Sequence, residues 1–129
     1  MAKILIVDDD QDFVDAARLV LESAGYEVVG AASRVEGMAA VASARPDLIV
    51  LDVMMKVPDD GFTMAYDLRR QGCAAPILML SSVDRVTGFS FGKDSEMVPV
   101  DMFESKPIEP KKFLEKIAAL LKQGGTGNA

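Results

Sequence analysis

A doubly wound α/β fold with a five-stranded parallel sheet is what this 129-residue chain predicts. Three observations carry that expectation. Short apolar runs rich in Ile, Val and Leu recur at 4–7, 48–51 and 77–80, and runs of this length without polar alternation read as strands covered on both faces. The stretches beginning at Gln11 and Pro110 carry apolar stripes of helical period. Strand and helix then alternate along the chain, the pattern that builds strand–helix–strand units around a parallel sheet.

Residues 3–7 form the first strand. A helix follows from about Gln11 to Ala24, with Phe13, Ala17, Val20, Leu21 and Ala24 on one stripe. Gly25 stands where a helix end takes positive φ. Tyr26 to Ala31 is the second strand, and Ser33-Arg34-Val35-Glu36 has the form of a capping box. That second helix stops before Pro46, because the residue preceding proline avoids the helical region. Leu48–Leu51 is the third strand, and Phe62 to Gln71 a third helix closed by Gly72. Ile77–Leu80 is the fourth strand, and Met102–Glu104 a short fifth. Phe113, Ile117, Leu120 and Leu121 stripe a last helix from about Pro110 to Lys122. Between the fourth and fifth strands, Val83 to Val100 has Gly88, Gly92 and Pro99 and no sustained stripe. An interior glycine costs a helix about 1 kcal/mol relative to alanine, so a short, irregular helix is expected there, of low stability and suited to reordering. The glycine-rich stretch 124–129 reads as a flexible tail behind a single domain of residues 1–123. Five strands in this span fit the flavodoxin-like order 2-1-3-4-5, which sets strands one and three side by side.

Composition narrows the function. A net charge of -6 argues against a nucleic-acid surface. No apolar stretch is long enough to span a membrane, and no signal-peptide layout opens the chain. One cysteine, Cys73, precludes an internal disulfide and fits a reducing cytoplasm. Histidine is absent, which removes His-based triads, His metal ligation and any phosphohistidine role.

Acidic residues close two of the apolar runs: Asp8-Asp9-Asp10 after the first strand and Asp52 after the third. In open α/β sheets ligands bind beyond the carboxyl ends of the strands, so Asp8, Asp9 and Asp52 converge on one edge. Carboxylates gathered that closely repel unless a cation holds them, and hard oxygen donors without His or Cys suit Mg²⁺. Asp10 reads as the cap of the first helix, whose dipole favours acid there. Ser81 ends the fourth strand and Lys106 follows the fifth, placing a hydroxyl and an ammonium at the same edge. Such a set is what a phosphoryl group needs: metal and lysine neutralise its oxygens and the hydroxyl donates a hydrogen bond. Taken singly, each residue has a plainer reading, as a cap, a turn residue, a strand-end hydroxyl or a surface charge. The functional reading prevails because those plainer ones would all have to hold at positions that the fold brings together.

Residues 4–10, 48–52, 76–82 and 103–107, in this order and spacing, resemble the response regulator receiver domains of two-component signalling, over essentially residues 3–122. The resemblance implies that Asp52 is the phosphoacceptor and that Asp8 and Asp9 hold Mg²⁺, with Asp9 the more direct ligand. The main-chain carbonyl of Met54 falls at a further metal contact, Ser81 and Phe103 at the switch positions, and Lys106 at the phosphate-pairing lysine. It further implies a chemotaxis-regulator-like stand-alone receiver, a monomer or weak dimer in the cytoplasm. Such a receiver is phosphorylated by a sensor histidine kinase or phosphotransfer protein and signals to a downstream protein target. It is no enzyme beyond its own phosphorylation and dephosphorylation. Two stretches depart from the family pattern: the loop after Asp52, with Lys56, a displaced Pro58 and a late Gly61, and Val83 to Val100. Three rivals fit less well. A receiver-like scaffold would not need Asp9, Asp52, Ser81 and Lys106 together. A phosphatase with an aspartyl-phosphate intermediate generally carries an acid two positions after its nucleophile, where Met54 stands. A flavin carrier would show a Ser/Thr/Gly-rich loop after the first strand.

Overall fold

The computed structural model describes residues 2–52, 60–82, 102–106 and 109–128. The expected irregular helix over 83–100 and the Met54 carbonyl lie outside the described residues. Five strands, β1 (Lys3–Val7), β2 (Glu27–Ala31), β3 (Leu48–Asp52), β4 (Ile77–Ser82) and β5 (Met102–Lys106), alternate with helices α1 (Gln11–Ser23), α2 (Arg34–Ala44), α3 (Asp60–Arg70) and, after β5, α4 (Pro110–Asn128). The strands pair in parallel in the order β2-β1-β3-β4-β5, as the sequence predicts.

The apolar runs are buried on both faces because successive side chains point to opposite sides of the sheet. Ile4, Ile6, Leu48, Val50, Leu78 and Leu80 join Val14, Ala17, Leu21, Phe113, Ile117 and Leu120 in one core, which α1 and α4 cover. Leu5, Val7, Ile49, Leu51, Ile77 and Met79 join Met64, Ala65 and Leu68 in a second core, which α3 covers with partly buried Met38 and Val41 of α2. Two helices on each face make the sheet doubly wound.

Local signals set the helix ends. Asp10 caps α1, its carboxylate accepting from the Phe13 N–H at 3.3 Å. Gly25 has φ 95° and Gly72 φ 87°. Around Gly25, the Gly25 N–H donates to Glu22 O and the Tyr26 N–H to Leu21 O, the paired bonds that satisfy orphan carbonyls where a glycine turns left-handed. Ser33 caps α2 by accepting from the Glu36 N–H at 3.2 Å, while the Glu36 carboxylate reaches one residue farther back than a capping box requires, to the Ala32 N–H. Gly37, inside α2, looks costly by propensity. A Cβ there would lie 2.9 Å from Met64 Cε and 3.0 Å from Val7 Cγ2, so its absence lets α2 approach the sheet and α3.

Most boundaries shift by one or two residues from the sequence reading, α3 for example beginning at Asp60 in place of Phe62, and the end of the last helix shifts by more. β4 and β5 each run two residues farther, so Lys106 is the last residue of β5 instead of following it. The pairs Ser81–Ser105 and Ser82–Lys106 carry both strands past the point where apolar residues end. The last helix continues to Asn128 in place of a structureless stretch from Gly124. Once a helix is nucleated on a packed face, each added residue also adds a hydrogen bond. Residues 111–129 contain no proline to stop it.

Candidate functional site

Val7–Leu51 is the last pair in register between β1 and β3, and Asp8 and Asp52 come one residue beyond it. One carboxylate oxygen from each of Asp8, Asp9 and Asp52 lies within 4.8 Å of the other two. Asp8 is 1% exposed and Asp52 6%, while Asp9 is the most open of the three.

Backbone contacts fix Asp8 in place. Its N–H donates to Ala31 O at 3.0 Å, extending the β1–β2 ladder by one bond. Its Oδ1 accepts from the Asp10 N–H at 2.9 Å, and Asp10 in turn caps α1. Asp8 thereby joins the ends of β1 and β2 to the start of α1. This second task escaped the sequence reading, although the two-residue spacing of Asp8 and Asp10 is the signature of such a side-chain-to-backbone turn.

Unit charges about 4 Å apart at an effective dielectric near 20 interact by roughly 4 kcal/mol. A site holding two buried carboxylates and a third beside them therefore strongly favours a cation. The donors suit a small hard ion: oxygens only, with no His in the chain and Cys73 in the α3–β4 turn. Among the described residues this is the one group of three or more acidic, His or Cys side chains close enough to share an ion.

The remaining expected residues are placed by their backbones. Ser81 lies on β4, next to β3, and pairs with Ser105; Lys106 closes β5 opposite Ser82; Phe103 pairs with Met79. Ser81 and Lys106 thus reach the sheet edge at which Asp8, Asp9 and Asp52 meet, and Phe103 sits three residues earlier on its strand. Glu104 escaped the sequence reading. It pairs with Leu80 and is ion-paired to Lys112 and Lys116 of α4; the available signal was an acid within the short fifth strand.

The model of the response regulator receiver domain matches residues 4–118. The chain is 38% identical to the DNA-binding dual master transcriptional regulator RpaA of Synechocystis sp., covering 95% of this chain and 50% of that protein. It is 35% identical to the alkaline phosphatase synthesis transcriptional regulatory protein PhoP of Bacillus subtilis, covering 94% of this chain and 49% of that protein. The chain thus spans about half the length of the curated relatives it matches. Among solved structures, the Vibrio cholerae chemotaxis protein CheY4 superposes with a TM-score of 0.81 at 34% identity, covering 93% of this chain and 98% of that one. A CheY-like receiver domain protein of Methanospirillum hungatei gives a TM-score of 0.82 at 28% identity, covering 98% of both chains. With its fold, its acidic strand-end cluster and this match over most of its length, the chain belongs to the family of response regulator receiver domains.

Proposed function

We propose that Asp52 accepts a phosphoryl group from a histidine kinase or phosphotransfer protein, in a Mg²⁺-dependent reaction, and that the resulting change of shape is read by a partner protein. One observation carries this reading: a nearly buried strand-end carboxylate lies within 4.8 Å of two others in a receiver fold. An oxygen of the Asp52 carboxylate attacks phosphorus as the bond from phosphorus to the donor's imidazole nitrogen breaks, and the donor leaves with that electron pair. Asp8 and Asp9 would hold the ion, Asp9 most directly, with Asp52 and, by the family resemblance, the Met54 carbonyl as further ligands. Bound Mg²⁺ supplies positive charge where phosphoryl oxygens gather. Lys106 pairs with those oxygens, the Ser81 hydroxyl donates to them, and Phe103 follows the Ser81 movement as the second switch residue. A net charge of -6 supports output to a protein in the cytoplasm over contact of this chain with nucleic acid. The chain acts as a monomer or weak dimer, with no chemistry beyond gaining and losing its own phosphoryl group.

Intact mass after incubation with acetyl phosphate and Mg²⁺ tests the assignment. The native chain gains one phosphoryl mass and Asp52→Asn gains none; equal labelling of the two rules Asp52 out. Lys106→Ala is expected to fold normally in metal-free buffer and to lose the conformational response to beryllofluoride with Mg²⁺, followed by amide hydrogen exchange. An unfolded Lys106→Ala would make the lysine structural.

A further inference from the structure

Glu104 is an acid set beside an apolar core. In β5 it pairs with Leu80 of β4, and Leu80 pairs with Asp52 of β3, so the three residues stand in register across adjacent strands. Leu80 belongs to the core that Phe113 and Ile117 of α4 help to close. Glu104 faces the same helix: its Oε2 lies 3.4 Å from Lys116 Nζ and its Oε1 4.0 Å from Lys112 Nζ. Its side chain is 17% accessible, against 33% for Lys116 and 58% for Lys112. Withdrawing a carboxylate that far from water is costly, and an apolar residue of similar size would often stabilise the fold as well or better. Core stability therefore gives no reason for an acid at this position. The carboxylate does tie the strand that ends in Lys106 to the first two turns of the helix that follows it.

We infer that Glu104, clamped by Lys112 and Lys116, is a positioning residue for phosphoryl transfer, holding β5 against α4 so that the strand end carrying Lys106 keeps its place at the Asp52 site. The inference rests on the receiver reading proposed above. Misplacing a group in a phosphoryl-transfer site by a fraction of an ångström to an ångström slows the reaction without unfolding the protein. The clamp acts as one unit, so cutting it from either side has the same effect.

The test compares four proteins: the native chain, Glu104→Leu, the double variant Lys112→Gln/Lys116→Gln, and all three substitutions together. Each is labelled with acetyl phosphate over a range of Mg²⁺ concentrations and melted in parallel. Glu104→Leu is expected to melt at or above the native temperature, yet to label roughly tenfold more slowly at saturating Mg²⁺. The half-saturating Mg²⁺ concentration stays native, because Asp8 and Asp9 follow β1 and Asp52 ends β3, away from β5. The lysine double variant slows labelling to the same degree, and the triple variant slows it no further. Unchanged labelling in Glu104→Leu overturns the inference, as do opposite effects of the acid and lysine substitutions, which would mark a through-space charge effect. A rate that merely tracks melting temperature overturns it too. In each of those cases the native chain still labels on Asp52; a native chain that takes no phosphoryl group overturns the receiver reading and this inference with it.

Discussion

Added Mg²⁺ is expected to raise the melting temperature of the chain, and Asp9→Ala to abolish that rise. Asp8, Asp9 and Asp52 bring three carboxylates within 4.8 Å, two of them nearly buried, so folding without metal works against their repulsion. An ion that binds the folded chain alone stabilises it by about 2.7 kcal/mol at a hundredfold excess over its dissociation constant. For a domain of this size that corresponds to a shift of roughly 10 °C. Asp9→Ala removes the most open ligand and leaves the Asp8 bond to the Asp10 N–H in place, so the fold survives. Metal-free Asp9→Ala should melt slightly above the metal-free native chain, one repulsive charge having gone. Thermal melts across a Mg²⁺ titration read both effects, and a metal-dependent shift that persists in Asp9→Ala would place the ion elsewhere.

The second large effect is on stability. Leu78→Ala is expected to cost about 2–5 kcal/mol, since a fully buried leucine leaves a cavity that its surroundings fill only partly. Leu78 is 0% exposed, pairs with Val50 and Met102 on the flanking strands, and shares a core with Phe113 and Ile117 of α4. Typical domain stabilities are about 5–15 kcal/mol, so this one substitution removes a large share. Leu19→Ala is the control: Leu19 is 72% exposed, and its loss should change stability by less than about 0.5 kcal/mol. Urea unfolding measures both, with the midpoint falling and the slope unchanged for Leu78→Ala. Equal costs for the two leucines would contradict the core assigned here.

Strand order and the acidic cluster were legible because both follow from residues at strand ends. A buried parallel strand is written as an unbroken apolar run, and the residue after it lands on the ligand-binding edge. Asp8 and Asp52 declare themselves this way, although 43 residues separate them. The strand ends of β4 and β5 were less legible. Ser81, Ser82, Ser105 and Lys106 carry no strand signal of their own, and only pairing across the sheet extends the ladder through them. Val14 was missed on the stripe of α1: it faces Gly30, whose absent side chain makes room for it on β2. The clamp on Glu104 depends on a helix that begins six residues later and packs back over the strand, a contact that no local pattern encodes.

The central place of β1 has a consequence for synthesis. β1 leaves the ribosome well before its partner β3, which is complete only at Asp52. Until then the segment Ile4-Leu5-Ile6-Val7 has an open edge, and a short apolar segment of high β-propensity without charge or proline is prone to pair with other chains. Charged residues flanking such segments suppress that association. Asp8, Asp9 and Asp10 stand directly behind the run, as Asp52 does behind Leu48–Leu51. The carboxylates that meet at the sheet edge of the finished protein therefore also guard the nascent chain against aggregation, and neutralising them should lower soluble yield even where the folded product is more stable.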